Sequence, residues 1–177
     1  MTEKALDNLE IVKASDKDMP HVKELWREIF GDDEVFIDRF YSAFPIKDNT
    51  IVAKDGEKVV GMVNALDCKL LCENEVFCGK YIYALAVSEK YRGRGIAREL
   101  LETAEEGSFV LLVPETPDLF DMYAHLGYTE KIQADDRFIE PFLFFAEEKS
   151  DKTVSALVKI KDIKLEDFYS KKCEFYI

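Results

Sequence analysis

Two arginines and two glycines alternate in Arg92-Gly93-Arg94-Gly95, and an apolar pattern of helical period begins at once with Ile96 and Ala97. A helix N-terminus exposes unpaired N–H groups and the positive end of its dipole, so a loop entering it can hold phosphate oxygens. Glycine helps in two ways: it permits positive φ, and it lets an anion approach the main chain with no Cβ between them. Arg92 and Arg94 add positive charge to a chain whose 24 Lys and Arg are outnumbered by 36 Asp and Glu. Taken alone, the G-x-G leaves a plain strand-to-helix turn as open as an anion site. Two other phosphate loops are excluded, because no G-K-[S/T] is present and no third glycine with a downstream acid closes a parallel βαβ unit. A second chemical group stands in "FDMYAHLGY" (120–128), where the phenol of Tyr123 is protonated at neutral pH and can donate a proton. Periodicity alone reads Tyr123 as a core aromatic on an amphipathic helix.

The elements that must carry these groups are legible on either side. "LEIVKAS" (9–15) reads as a first strand, and Asp18 as the cap of a helix through "MPHVKELWREIF" to Gly31. Val22, Leu25, Trp26, Ile29 and Phe30 form one buried stripe of that helix. Asp32 and Asp33 open a second helix, which Pro45 stops. "TIVAKD" (50–55) is a strand followed by a tight turn at Gly56. "VVGMVNALDCKLLC" and "VFCGKYIYALAV" are long β-rich runs that read as an antiparallel pair. After the loop comes a helix ending at Gly107, then the wholly apolar "FVLLV" (109–113), expected as a strand buried on both faces. A short helix ends at Gly127, and "YTEKIQ" and "FIEPFLFFAE" (138–147) read as two more strands. Residues 148–177 keep some apolar pattern without a clear assignment. The order β-α-α-β-β-β-α-β-α-β-β predicts one α/β domain with a mixed, mostly antiparallel sheet flanked by helices.

Composition narrows the partners. Residues 1–147 hold 17 basic and 30 acidic side chains, a net of −13, whereas 148–177 hold 7 and 6. Nucleic acid needs the opposite field, so none is expected as a partner. No apolar run approaches ~20 residues, and no membrane span is expected. The N-terminal "MTEKALDNLEIV" lacks the pattern of a signal peptide, which points to the cytoplasm. Cys68, Cys72, Cys78 and Cys173 make no C-x-x-C pair, and His21 and His125 lie in different segments, so reduced thiols and no metal are expected.

"RGRGIA" (92–97) fits [Q/R]-x-x-G-x-[G/A], with "ALAVSEKY" before it and "DMYAHLGY" about thirty residues later. Together these resemble the GNAT superfamily of acyl-CoA-dependent N-acetyltransferases over roughly residues 9–147. The resemblance implies that the main chain of Arg92, Gly93, Arg94, Gly95, Ile96 and Ala97 holds the diphosphate of coenzyme A. It implies that Leu85, Ala86 and Val87 lie where the central strand splays, their main chain pairing with the pantetheine arm and polarising the acetyl carbonyl, so that Leu85 is catalytic through its backbone. It makes Tyr123 the general acid for the leaving thiolate. Thr116 occupies the neighbourhood in which the family often has an asparagine. The base is where this chain departs: Tyr81 and Tyr83 stand at positions where some members carry glutamate or histidine, and Glu115 is only a candidate near the acceptor side.

The resemblance therefore implies an N-acetyltransferase using acetyl-CoA, without a metal, on a small-molecule or peptide amine that the acidic body would favour as a cation. The rival from another class is a non-catalytic acyl-CoA-binding or sensory domain of the same fold. A generic interaction domain would require an empty loop. Residues 1–147 are expected to form the acyltransferase domain and 148–177 an extension packed on it; a homodimer stays open.

Overall fold

A computed structural model describes residues 9–72, 75–135, 153–163 and 173–176. Eight strands are present among them: β1 (Leu9–Lys13), β2 (Thr50–Asp55), β3 (Lys58–Cys72), β4 (Glu75–Val87), β5 (Phe109–Leu112), β6 (Glu130–Asp135), β7 (Thr153–Ile160) and β8 (Cys173–Tyr176). The helices are α1 (Met19–Phe30), α2 (Glu34–Ala43), the four-residue α3 (Ile46–Asn49), α4 (Ile96–Ala104) and α5 (Pro117–His125). Hydrogen bonding runs in the order β1-β2-β3-β4-β5-β7-β6, with β8 on β3. The β4–β5 pair is parallel, and the pairs β1–β2, β2–β3, β3–β8, β5–β7 and β6–β7 are antiparallel. This is the mixed, mostly antiparallel α/β sheet that the sequence predicts.

The chain forms two compact units, Met1–Ala65 with Ala84–Ala104, and Leu66–Tyr83 with Glu105–Ile177. In the first, β2 pairs with β3 so that Ala53 faces Gly61 and Thr50 faces Asn64. A Cβ on Gly61 would stand 3.1 Å from Ile96 Cγ2 and Leu100 Cδ1, so a glycine here is what lets α4 lie close on that face. Tyr41 of α2 covers the opposite face, where its hydroxyl reaches Asn64. Trp26 anchors the two early helices: it is buried, its ring packs edge-on to Phe40 and Tyr41, and its Nε1 donates to Asp32 at 2.8 Å.

Asp18 departs from the expectation that it caps α1. Its side chain makes no capping bond; instead it accepts from Ser15 N and Oγ at 2.8 and 2.7 Å and from Lys54 Nζ at 2.8 Å. Pro20 lacks an N–H, and a 3₁₀ turn over Asp16–Asp18 leads into the helix, so the carboxylate is free to tie the helix entry to β2.

In the second unit, all four residues of β5 are buried, as expected of its apolar run. β7 pairs with both β5 and β6, bringing part of the unassigned C-terminal stretch into the sheet. The strand expected over 138–147 lies outside the described residues.

Candidate active site

In the first unit, β4 contains the one non-glycine residue with positive φ among the described residues, Ala84 at +57°. Four residues on, the chain is held to β3 by Ser88 N, which donates to Val60 O at 2.9 Å. β3 and β4 are hydrogen-bonded neighbours joined through only residues 73 and 74, which requires an antiparallel pair. Amide direction alternates along such a ladder, so Ala86 and Ser88 present their N–H groups to β3, and the positive φ of Ala84 ends the alternation there. Leu85 and Val87 present theirs to the other edge. On that edge the register of β4 with β5 extends only over Lys80–Ile82. The main-chain donors of Leu85 and Val87 are therefore turned away from β3 beside the positive φ of Ala84, whereas that of Ala86 is turned toward it.

A 3₁₀ turn over Glu89–Tyr91 carries the chain from β4 into the loop. Arg92 Nε donates back to Val87 O at 3.1 Å, Tyr91 donates to Asp55 at 2.8 Å, and the Arg94 guanidinium lies 5.3 Å from the centre of the Tyr91 ring. Gly93 and Gly95 have φ of +74° and +83°, and nothing lies within 4 Å of where a Cβ would stand on either. The first bond of α4 runs from Glu99 N to Gly95 O at 3.1 Å, so the amides of Ile96, Ala97 and Arg98 precede any intrahelical acceptor. Residues Arg92 to Gly95 are exposed. The result is an open mouth of main-chain donors with two cationic side chains, suited to a multiply charged anion.

In the second unit, Tyr123 lies on α5 and is 8% exposed. Its ring packs edge-on to Tyr128 at 6.0 Å, and among the described residues its hydroxyl has no hydrogen-bond partner. Burial pushes its phenol up to about 12. Tyr128 instead donates to Glu105, which also accepts from Lys159 at 2.7 Å. Thr116 is the exposed N-cap residue of α5, but its side chain makes no capping bond. Tyr81 is buried and Tyr83 half-buried, with ring centres 6.1 Å apart; Glu115 is exposed. The structure thus gathers Leu85 through Ala97 into one unit and sets Thr116 and Tyr123 in the other.

Residues 10–130 match the family model of a GNAT acetyltransferase domain. The chain belongs to the GNAT acetyltransferase family. Its fold is similar to a GCN5-related N-acetyltransferase from Kribbella flavida, at 19% identity and a TM-score of 0.60 over 76% of this chain and 35% of that one. It is also similar to the diaminobutyrate acetyltransferase of Paenibacillus lautus, in complex with its substrate and coenzyme A, at 14% identity and a TM-score of 0.56 over 88% and 98% of the two chains. The N-acetylglutamate synthase of Neisseria gonorrhoeae, complexed with coenzyme A and N-acetyl-glutamate, matches at 14% identity and 0.56 over 88% and 35%. At these identities the likeness shows the fold alone, and the chain spans about a third of the Kribbella protein's length. No curated protein sequence matches the chain.

Two features of this GNAT domain escape a reading of its sequence. Ala84 carries the bend, yet "YALAV" is an unbroken strand pattern, and no residue type in it signals positive φ. The bond from Trp26 to Asp32 in the acidic joint of the early helices is the other, whereas Asp33 opens α2 as the sequence predicts. Asp32 holds the Trp26 indole, Asp33 caps α2 by accepting from Phe36 N at 2.8 Å, and Glu34 lies 3.7 Å from Lys23. All three carboxylates have structural tasks before any acceptor arrives.

Proposed function

We propose that this GNAT domain is an N-acetyltransferase that moves an acetyl group from acetyl-CoA to a primary amine by direct attack. The observation that carries this reading is the open loop at the head of α4, where Gly93 and Gly95 clear the approach to free amides and Arg92 and Arg94 flank it. A diphosphate fits that chemistry, and two relatives of the same fold are complexes with coenzyme A. Family membership supports the same cosubstrate.

The residues divide the work. The outward amide of Leu85 faces the thioester carbonyl and stabilises the tetrahedral oxyanion, while the main chain of Ala86 and Val87 aligns the pantetheine arm. The amine nitrogen forms the new C–N bond, the C–S bond breaks, and one proton leaves nitrogen while one reaches sulfur. Tyr123 donates that second proton. With its phenol at about 12, Tyr123 stays protonated throughout the neutral range. Full transfer to a thiolate near ~8.5 would be uphill by ~3.5 units, or about 4.8 kcal/mol. The proton therefore moves as the C–S bond breaks and is replaced from the amine side, with no tyrosinate accumulating. A lysine-like amine of pKa ~10.4 is neutral about once in 2,500 at pH 7, a penalty of about 4.6 kcal/mol. Neither Tyr81 nor Tyr83 is a base at that pH, so a water-linked carboxylate or a less basic acceptor must meet it.

The second reading, a non-catalytic acyl-CoA-binding or sensory domain, draws on the phenols of Tyr81 and Tyr83 standing where some family members place a base. Tyr123→Phe separates the two. It keeps the ring in its packing against Tyr128 and removes only the hydroxyl, so kcat should fall by about 10²–10⁴ with coenzyme affinity unchanged. Unaltered turnover at saturating substrates would return Tyr123 to a core aromatic, and a sensor would have no turnover to lose.

A further inference from the structure

Among the described residues, one buried side-chain donor has no partner: Nδ2 of Asn64, in β3. Asn64 is fully buried, and its Oδ1 accepts from the Thr50 hydroxyl at 2.7 Å and the Tyr41 hydroxyl at 3.2 Å. In this orientation the amide oxygen accepts from both hydroxyls. Turned around, it would meet both hydroxyls with N–H groups and leave their protons to find other acceptors. Nearly all buried polar side-chain atoms are satisfied, because an unmade bond costs more than a made one contributes. An orphan donor in the middle of a paired strand therefore offers a bond to an oxygen from outside, a water or a group of the substrate.

Its position says which molecule would bring one. Side chains alternate along a strand, so Asn64, three residues beyond Gly61, points to the opposite face. The Gly61 face is the one against Ile96 and Leu100 of α4, the helix whose head carries the anion loop. The Asn64 face is the one beneath Tyr41 of α2. From the Ser88–Val60 bond the neighbouring strands run back along β4 to Ala84 and forward along β3, past its irregularity at Val60, to Asn64, which puts the two in the same neighbourhood. The bent backbone and the outward amide of Leu85 begin there. The orphan donor is thus next to the carbonyl-polarising backbone, on the face that the coenzyme's own loop does not occupy.

We propose that Asn64 is a specificity-determining residue: its Nδ2 donates to an sp² oxygen, carbonyl or carboxylate, that the acceptor carries beside the amine to be acetylated. This rests on the acetyl-transfer reading above. A neutral N–H donor needs an acceptor lone pair. A plain alkylamine has only the one it uses for attack, whereas an amino-acid amide or a peptide terminus has a carbonyl to offer. Entry of such a group moves the Tyr41 ring aside and gives Nδ2 a bond in exchange for the longer one, 3.2 Å, between the Tyr41 hydroxyl and Oδ1.

The test compares glycinamide with ethylamine as acceptors for the wild-type chain, Asn64→Leu and Asn64→Asp. Wild type should prefer glycinamide, and the ratio of kcat/KM between the two amines should fall by roughly 10- to 100-fold in Asn64→Leu, the loss expected for a buried hydrogen bond to substrate. Differences in amine basicity cancel when the ratio is compared between proteins. Asn64→Asp keeps an oxygen for Thr50 and Tyr41 and removes the donor, so it should show the same fall even if the leucine variant does not fold. The thermal shift produced by acetyl-CoA should be the same in all three. An unchanged ratio, or no preference in wild type, overturns the assignment of Asn64 while leaving acetyl transfer standing. No turnover of any amine by wild type overturns both.

Discussion

Gly95→Ala and Gly31→Ala make a matched pair that tests whether the loop at the head of α4 binds an anion, as proposed. The two glycines have φ of +83° and +77°, and at neither does any atom lie within 4 Å of where a Cβ would stand. A methyl group therefore meets no neighbour in either place, and its cost is one of backbone alone. Left-handed φ in an L-residue costs about 1–2 kcal/mol, and the stiffer unfolded chain returns ~0.4–1 kcal/mol of that. A net loss of about 1 kcal/mol lowers Tm by roughly 2–4 °C for a chain of this length. Both variants should show that drop. Only Gly95 stands at the head of α4, so only there does the methyl enter the space an anion must fill. At a hundredfold excess over Kd, acetyl-CoA should stabilise wild type by about 2.7 kcal/mol. That amounts to a rise in Tm of roughly 5–11 °C. Thermal unfolding with and without acetyl-CoA reads both effects at once. Gly31→Ala should keep the full rise, Gly95→Ala should lose most of it, and Gly95→Glu, which adds a negative charge, should lose all of it. Equal rises in Gly31→Ala and Gly95→Glu would refute the assignment of the loop.

Two further predictions concern charge. Burial alone would raise the carboxyl of Asp18, but hydrogen bonds from Lys54 and Ser15 outweigh it and hold the group below its ordinary value. Its contribution to stability is therefore present above the unfolded value of about 3.9 and lost as pH falls through the lower folded one. Asp18→Asn should cost roughly 1.5–3 kcal/mol at neutral pH and flatten the acid limb in urea titrations; an unchanged limb would place the acid sensitivity elsewhere. If the −13 charge of residues 1–147 draws a cationic acceptor, kcat/KM for a basic peptide should fall steeply with salt, since screening removes most interactions beyond ~10 Å at 0.1 M. Asp33→Asn keeps the cap of α2, removes one charge, and should raise KM for that peptide without loss of stability; salt-independent kinetics would reduce the acidity to solvated surface.

The fold was legible wherever side-chain pattern and burial agree. Val22, Leu25 and Trp26 repeat at helical spacing and are buried, and the apolar run of β5 is buried throughout. Tyr123 was read both as a core aromatic and as a proton donor, and a buried phenol held at about 12 is compatible with both. Features set by distant partners were illegible. Asp18 has the residue type and position of a helix cap, but Lys54, thirty-six residues away, claims its carboxylate. In β7, Ser155 and Lys159 interrupt the apolar pattern, because Ser155 bonds Gln133 across to β6 and Lys159 reaches Glu105. Ala84 has a Cβ that disfavours left-handed backbone by about 1–2 kcal/mol, so its type predicts a regular strand and the irregularity belongs to the ladder around it. Asn64 gave no signal at all within "VVGMVNALDC", since an asparagine's partners are read only from its neighbours in space.

The central claim is that an acetyl group leaves a thioester and arrives on an amine. Acetyl-CoA labelled in its acetyl group, incubated with the protein and a panel of primary amines, tests it most directly by following free thiol and labelled amide together. The account predicts that thiol and amide appear one for one with at least one amine, and that neither appears above background without an amine. Tight binding of acetyl-CoA with no labelled amide from any amine, or thiol released without amide, would contradict it.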